Sequence, residues 1–168
     1  MSLLSCLLDG DNIPPHKKKI DVLSPVSGNV QPLDAFSNLT LSQRIFGEGA
    51  AIEVSGFQVV APFDCVVTEF PMTAAHIRLR DKHGLRLHIQ CGVNAHRLYG
   101  EGFKRKVKVA QKVRQGQVLL EFDGRKLRQS LDDPKFAVTL LNSDKVQGIL
   151  LNQRKVTALE DVLFSVIV

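Results

Sequence analysis

The side chains best suited to chemistry gather in residues 74–92, which read A-A-H-I-R-L-R-D-K-H-G-L-R-L-H-I-Q-C-G. His76 and His88 are the centre of interest. A neutral imidazole nitrogen is a nucleophile, a proton carrier and a metal ligand near neutral pH. Arg78, Arg80 and Arg86 lie among them and suit an anionic or phosphorylated group. On one side of residues 81–84, Ile77 and Leu79 alternate with His76, Arg78 and Arg80; on the other, Leu85, Leu87, Ile89 and Cys91 alternate with Arg86, His88 and Gln90. Such alternation predicts a hairpin with one apolar and one polar face. His88 and Gln90 then point the same way, roughly 7 Å apart. Pairing Ile77 with Leu87 keeps the apolar residues together and sets His76 opposite His88 on a partly exposed polar face. No metal is expected: Cys91 faces the other way, and His-x-Gln-Cys is not a zinc spacing.

The elements that must hold this hairpin are strands. Short β-type runs at residues 20–23, 51–54, 57–61, 65–70, 107–109, 118–122, 138–141 and 165–168 are separated by Gly, Pro, Asn and Ser signals. Many short strands with such punctuation predict an all-β fold, an antiparallel sandwich or barrel-sandwich. Helical periodicity is confined to a turn or two at residues 40–46 and 126–131. Residues 25–30 and 62–67 share a Pro-apolar-small opening, a hint of two related hairpin units. Gly47-Glu48-Gly49 and Gly100-Glu101-Gly102 read as turns, because no Lys-Ser/Thr pair or following helix makes either a phosphate loop. Lys104 to Lys112 reads as an edge strand protected by charge.

Composition narrows the function. The chain has 168 residues, enough for one domain with a proper core. Net charge is +5, with no Trp and one Tyr. That favours acidic partners or surfaces, and the scarcity of stacking aromatics argues against nucleic acid. Cys6, Cys65 and Cys91 form no C-x-x-C and suit a reducing compartment. No apolar run approaches the roughly 20 residues that span a membrane, so a cytoplasmic monomer is expected. Residues 1–19 look like a separate flexible segment, an apolar start followed by His16-Lys17-Lys18-Lys19, which could rest weakly on an anionic lipid surface. Lys82 in its turn lacks the apolar-flanked tip of a biotinyl or lipoyl carrier.

From residue 20 the chain resembles the glucose-type IIA domain of the bacterial phosphoenolpyruvate-dependent sugar phosphotransferase system. The resemblance rests on Ser24-Pro25-Val26-Ser27-Gly28, Gly47 to Ile52, Val60-Ala61-Pro62-Phe63-Asp64, Leu85 to Asn94, Gly100 to Arg105 and Glu121-Phe122-Asp123, in family order and spacing. It implies the glucose-permease IIA β-sandwich with a shallow apolar depression, and no cofactor. It also implies a phosphocarrier. One histidine takes phosphate from the small histidine-containing phosphocarrier protein and passes it to a membrane sugar permease, and a second histidine supports the first.

The chain departs from this pattern at its centre. The nucleophile position is Gln90 and the supporting position is Ala75, while Thr73, which orients the nucleophile, is retained. An amide nitrogen is delocalised into its carbonyl, so Gln90 can hydrogen-bond but cannot accept a phosphoryl group. Asn38 and Asn94 stand where the family has acids. With Leu41, Phe46, Arg78, Arg86 and Arg97 they form the expected partner-binding set. Two functions follow as expectations. One is a phosphorylation-defective regulatory module that binds phosphotransferase components or regulatory targets. The other is a working phosphocarrier with a relocated histidine, His88 supported by His76.

Overall fold

The computed structural model describes residues 6–168. Its strands run β1 Lys19–Leu23, β2 Gly28–Pro32, β3 Glu48–Val54, β4 Gln58–Val60, β5 Cys65–Glu69, β6 His76–Asp81, β7 Arg86–Gln90, β8 Phe103–Arg105, β9 Lys112–Val113, β10 Val118–Phe122, β11 Phe136–Leu140, β12 Gly148–Leu151, β13 Lys155–Val156 and β14 Val162–Ile167. Two short helices, α1 Leu39–Ser42 and α2 Gly124–Ser130, fall where helical turns are expected. An eight-stranded sheet in the order β13-β2-β3-β11-β7-β6-β5-β9 faces two three-stranded sheets, β4-β10-β8 and β1-β14-β12. Among the described residues every pairing between these named strands is antiparallel. The fold is the antiparallel β-sandwich expected from the sequence.

Most of the apolar side chains fill one core, which includes Val67, Ile77, Leu79, Leu87, Ile89, Phe136, Val138 and Phe164. A second, smaller core of Leu33, Phe36, Leu41, Ala51 and Ala137 also forms, with Phe46 and Val93 packed against it. Its strand residues, Ala51 and Ala137, are out of phase with Ala50, Ile52, Phe136 and Val138 of the main core. Alternate residues of a strand face opposite sides, so β3 and β11 are covered on both faces at their centre. Small residues there let the 33–46 segment come close. Gly49 is required by the neighbouring strand itself: a Cβ there would lie 2.0 Å from the Val138 carbonyl oxygen of β11.

Hairpin β6–β7 forms, but with a different register from the expected one. Asp81 N donates to Leu85 O at 3.0 Å, and the loop is residues 82–84 with Gly84 at φ +90°. The Asp81 carboxylate accepts from His83 N and Leu85 N. A left-handed residue at the loop's last position suits Gly, as in a three-residue hairpin with a bulge. The expected pairing would have drawn Gly84 into the ladder and placed a side-chain-bearing residue there. The slip of two keeps each side chain on its face but changes partners: His76 faces Gln90, Ile77 faces Ile89 and Arg78 faces His88.

Other boundaries also shift. Residues 107–109 are not a strand; the basic stretch from Lys104 splits into β8 and β9, edges of different sheets. Val107 turns into the core while Val109 stays exposed, so the valines do not share the regular alternation a single strand needs. Strands β12 and β13 lie in a region where no strand was expected. Of the segment 1–19, residues 1–5 lie outside the described residues. Leu7 bridges Ile149 in parallel, and Lys17 and Lys18 bond Val168. Among the described residues no helix is long and apolar enough to cross a membrane.

Candidate functional site

Four neighbouring strands set the site's geometry. Ala51, Ala137, Gln90 and His76 form one row across β3, β11, β7 and β6; Gly49, Thr139, His88 and Arg78 form the next. Partners in register share a face, so the two histidines, Gln90 and Arg78 lie on the side of the smaller core.

His88 is the buried member, with 1% of its surface exposed. This corrects the expectation that His88 is partly exposed. Phe46 stacks on its ring with centroids 4.6 Å apart, and Thr139 Oγ1 donates to Phe46 O at 2.7 Å, which holds that cover in place. Arg78 Nε donates to His88 Nδ1 at 3.2 Å. Because Nδ1 accepts, Nε2 carries the hydrogen and donates to Gln90 Oε1 at 3.3 Å. Gln90 Nε2 in turn donates to Gly92 O at 3.4 Å. Both ring nitrogens of His88 are thus occupied. Burial pushes the ring's pKa down to about 4; the nearby Arg78 and His76 push the same way, against the Gln90 hydrogen bond. His88 is therefore neutral at pH 7.

His76 is half-buried and lies one row away, its ring centroid 5.4 Å from that of His88. Its Nε2 is 2.9 Å from Glu69 Oε2, and Arg78 Nη1 donates to Glu69 Oε1 at 3.2 Å. The hydrogen bond from His76, and after it the charge of Arg78, hold the Glu69 carboxyl below its usual range. Arg78 also lies over the Phe46 ring, 5.6 Å from its centroid. Sequence reasoning missed Glu69 altogether. It reaches the site because a bulge between Val67 and Glu69 brings Glu69 into register with Arg78, and nothing in the local pattern announces that bulge.

A depression of about 260 Å³ opens beside Gln90, lined by Thr73, Ala75, His76, Gln90, Asn94 and His96 among others. Thr73 Oγ1 accepts from Ala75 N at 3.4 Å, and Ala75 O accepts from Cys91 N at 2.9 Å. The three positions that the resemblance singles out, 73, 75 and 90, therefore line one depression. Around this rim Ala74, Asn94 and Tyr99 hold φ values of +55°, +59° and +52°. Left-handed backbone at side-chain-bearing residues is strained and concentrates at functional sites. His96 was not singled out from the sequence; a lone His in a Gly-rich loop carries no spacing signal.

The expected partner-binding residues divide. Asn38, Asn94 and Arg97 line one cleft of about 810 Å³ next to the depression. Asn38 also accepts from Leu41 N at 3.2 Å and caps α1. Phe46 and Arg78 sit over His88. Arg86 is exposed and lies one row beyond His88, opposite Arg80. Leu41 corrects the expectation: only 2% is exposed, because it fills the smaller core. Among the described residues no group of three His, Cys, Asp or Glu side chains is placed to hold a metal ion.

This geometry offers hydrogen-bonding groups at the position where the resemblance would seat a nucleophile. It can position or recognise a group at the depression, and Gln90 supplies no reactive lone pair.

The family described as phosphoenolpyruvate-dependent sugar phosphotransferase system, EIIA 1, matches residues 20–146. The glucose-specific EIIA component of the PTS system of Haemophilus influenzae is 26% identical over 147 residues, covering 88% of this chain and 89% of that protein. A beta-glucoside-specific EIIBCA component from Dickeya chrysanthemi is 31% identical over 128 residues, 76% of this chain but 20% of its own length. The solved glucose permease IIA from Mycoplasma capricolum has a TM-score of 0.81 at 21% identity, covering 89% of this chain and 96% of that one, a likeness of fold. The chain belongs to the phosphotransferase EIIA 1 family.

Proposed function

We propose that this member of the sugar phosphotransferase EIIA family no longer carries phosphate and serves in the cytoplasm as a regulatory module that binds other proteins. One observation carries the reading: the residue in the family's nucleophile position is an amide, Gln90, hydrogen-bonded to His88 and to Gly92 O. The family scaffold around it is kept. Loss of the reactive nitrogen leaves the docking face in place, with Met72 and Tyr99 exposed beside the depression at 78% and 89%. Exposed large apolar groups at a strained rim suit protein contact. Asn38 and Asn94 in place of acids, with Arg78, Arg86 and Arg97 near them, favour an acidic or phosphorylated partner and disfavour the basic surface of a phosphate donor.

A second reading keeps the phosphocarrier activity and moves it to a histidine. The burial of His88 and its two occupied ring nitrogens weigh against it as nucleophile. His76 fits better in that role, since Nε2 bonds Glu69 and its ring reaches the depression. A phosphoryl transfer there would form an N–P bond at Nδ1 as the donor's N–P bond breaks.

Incubation with phosphoenolpyruvate, enzyme I and the small phosphocarrier separates the two. The first reading expects no acid-labile phosphate on the chain, and a gain of it in Gln90→His. An adduct on the unaltered chain that His76→Ala or His88→Ala removes would establish the second.

A further inference from the structure

Away from the depression, the same face of the large sheet carries a row of cations. Arg86 in β7 is in register with Arg80 in β6, Arg80 with Val66 in β5, and Val66 with Lys112 in β9. At about 4.8 Å between strands, this row spans roughly 14 Å. Lys82 and Arg114 join Arg80 and Lys112 around a groove of about 690 Å³ at its outer end, whose lining includes Cys65, Val66 and Val113. All five cations are exposed. Among the described residues none of their side chains has an ion-pair or hydrogen-bond partner, whereas Arg44, Arg78, Lys106, Lys126, Lys135 and Arg154 all do.

Two carboxylates also line the groove, but both are engaged by backbone amides. Asp64 Oδ1 accepts from Gln115 N at 2.8 Å, and Asp81 Oδ1 from His83 N and Leu85 N at 2.9 and 2.8 Å. The Arg80–Arg86 juxtaposition is unfavourable by itself, because like charges directly across strands destabilise a sheet. An anion laid over the pair would reverse that sign.

We propose that this groove and row bind an extended acidic segment of a partner protein. The inference rests on the protein-binding reading above and names the chemistry of the partner. A linear track favours a chain of carboxylates over a single phosphate, and the outer strand β9 is an edge of the large sheet, open to a further strand. On this face Val66, half-buried between Arg80 and Lys112, is the apolar contact for such a segment, while Cys65 and Val113 point into the main core.

A fluorescein-labelled oligoglutamate peptide, titrated into the full chain and followed by anisotropy, tests this. Binding is expected at low ionic strength and weakens steeply as salt is added. Arg80→Glu and Lys112→Glu are each expected to weaken it about tenfold or more. Arg80→Glu should also melt at the same or a higher temperature, because it turns the Arg80–Arg86 repulsion into attraction. Lys155→Glu, on β13 at the opposite edge, should leave binding unchanged. The proposal is overturned if Arg80→Glu and Lys112→Glu bind the peptide as the unaltered chain does. It is equally overturned if inorganic triphosphate or phosphatidylserine vesicles bind more tightly than the peptide. Neither result would touch the phosphorylation test, so the two readings fail separately.

Discussion

The two faces of the β6–β7 hairpin are built from the same backbone and answer to different physics. Inward, Ile77, Leu79, Leu87 and Ile89 are each 0–1% exposed and contribute only apolar contacts. Outward, His76, Arg78, His88 and Gln90 form a chain of hydrogen bonds from Glu69 to Gly92 O. The inner face needs volume and apolarity, and many sequences could supply both. The outer face needs each donor matched to an acceptor, so replacing one residue redirects its neighbours. Gln90, at the position the resemblance gives to the nucleophile, fits this network because its carbonyl accepts from His88 while its amide donates onward.

Four experiments probe that contrast. Leu87→Ala on the inner face should cost about 2–5 kcal/mol in denaturant unfolding, since it removes a fully buried side chain from a packed core. A loss below about 1 kcal/mol would mean the core is not tightly packed there.

On the outer face the largest effect depends on pH. The His88 pKa is about 4 in the folded chain against roughly 6.5 unfolded. The unfolded state therefore binds the extra proton first as pH falls. The stabilisation is full above about pH 6.5 and is lost progressively down to about pH 4, on the order of 3 kcal/mol in all. His88→Phe should flatten this part of the stability profile. An unchanged slope would show that His88 is not held neutral.

Phe46→Ala should come next, at about 1–2 kcal/mol, less than a full core aromatic because Phe46 is only half-buried. Its sharper readout is the His88 titration, which should move up toward the ordinary range as water reaches the ring. Glu69→Gln should be smallest, within about 1 kcal/mol, because its partners are partly exposed and screened. A larger loss would make the exposed end of the network a structural element.

The fold was legible because strand periodicity and turn residues are local signals. The runs now seen in β5, β6, β7 and β10 stood out by alternation and punctuation. Strands β3 and β11 read as plain apolar runs because both faces are covered. Strand β13 is two residues long and has no pattern to read. The site was half legible. The family motifs located Thr73, Ala75 and Gln90, and the depression brings them together. The register of hairpin β6–β7 escaped because apolar parity allows slips of two residues, and only the demand for Gly84 in a left-handed turn decides between them. The burial of His88 escaped because Phe46 arrives from a distant loop, anchored by Thr139. The bulge that delivers Glu69 leaves no local mark in the sequence.

The central claim is that the docking face remains while the phosphate-accepting nitrogen is gone. Intact-mass spectrometry at neutral pH, after incubation of the unaltered chain with phosphoenolpyruvate, enzyme I and the small phosphocarrier, tests it most directly. The account predicts a single species at the unmodified mass. A second species heavier by one phosphoryl group, lost on brief acid treatment, would contradict it.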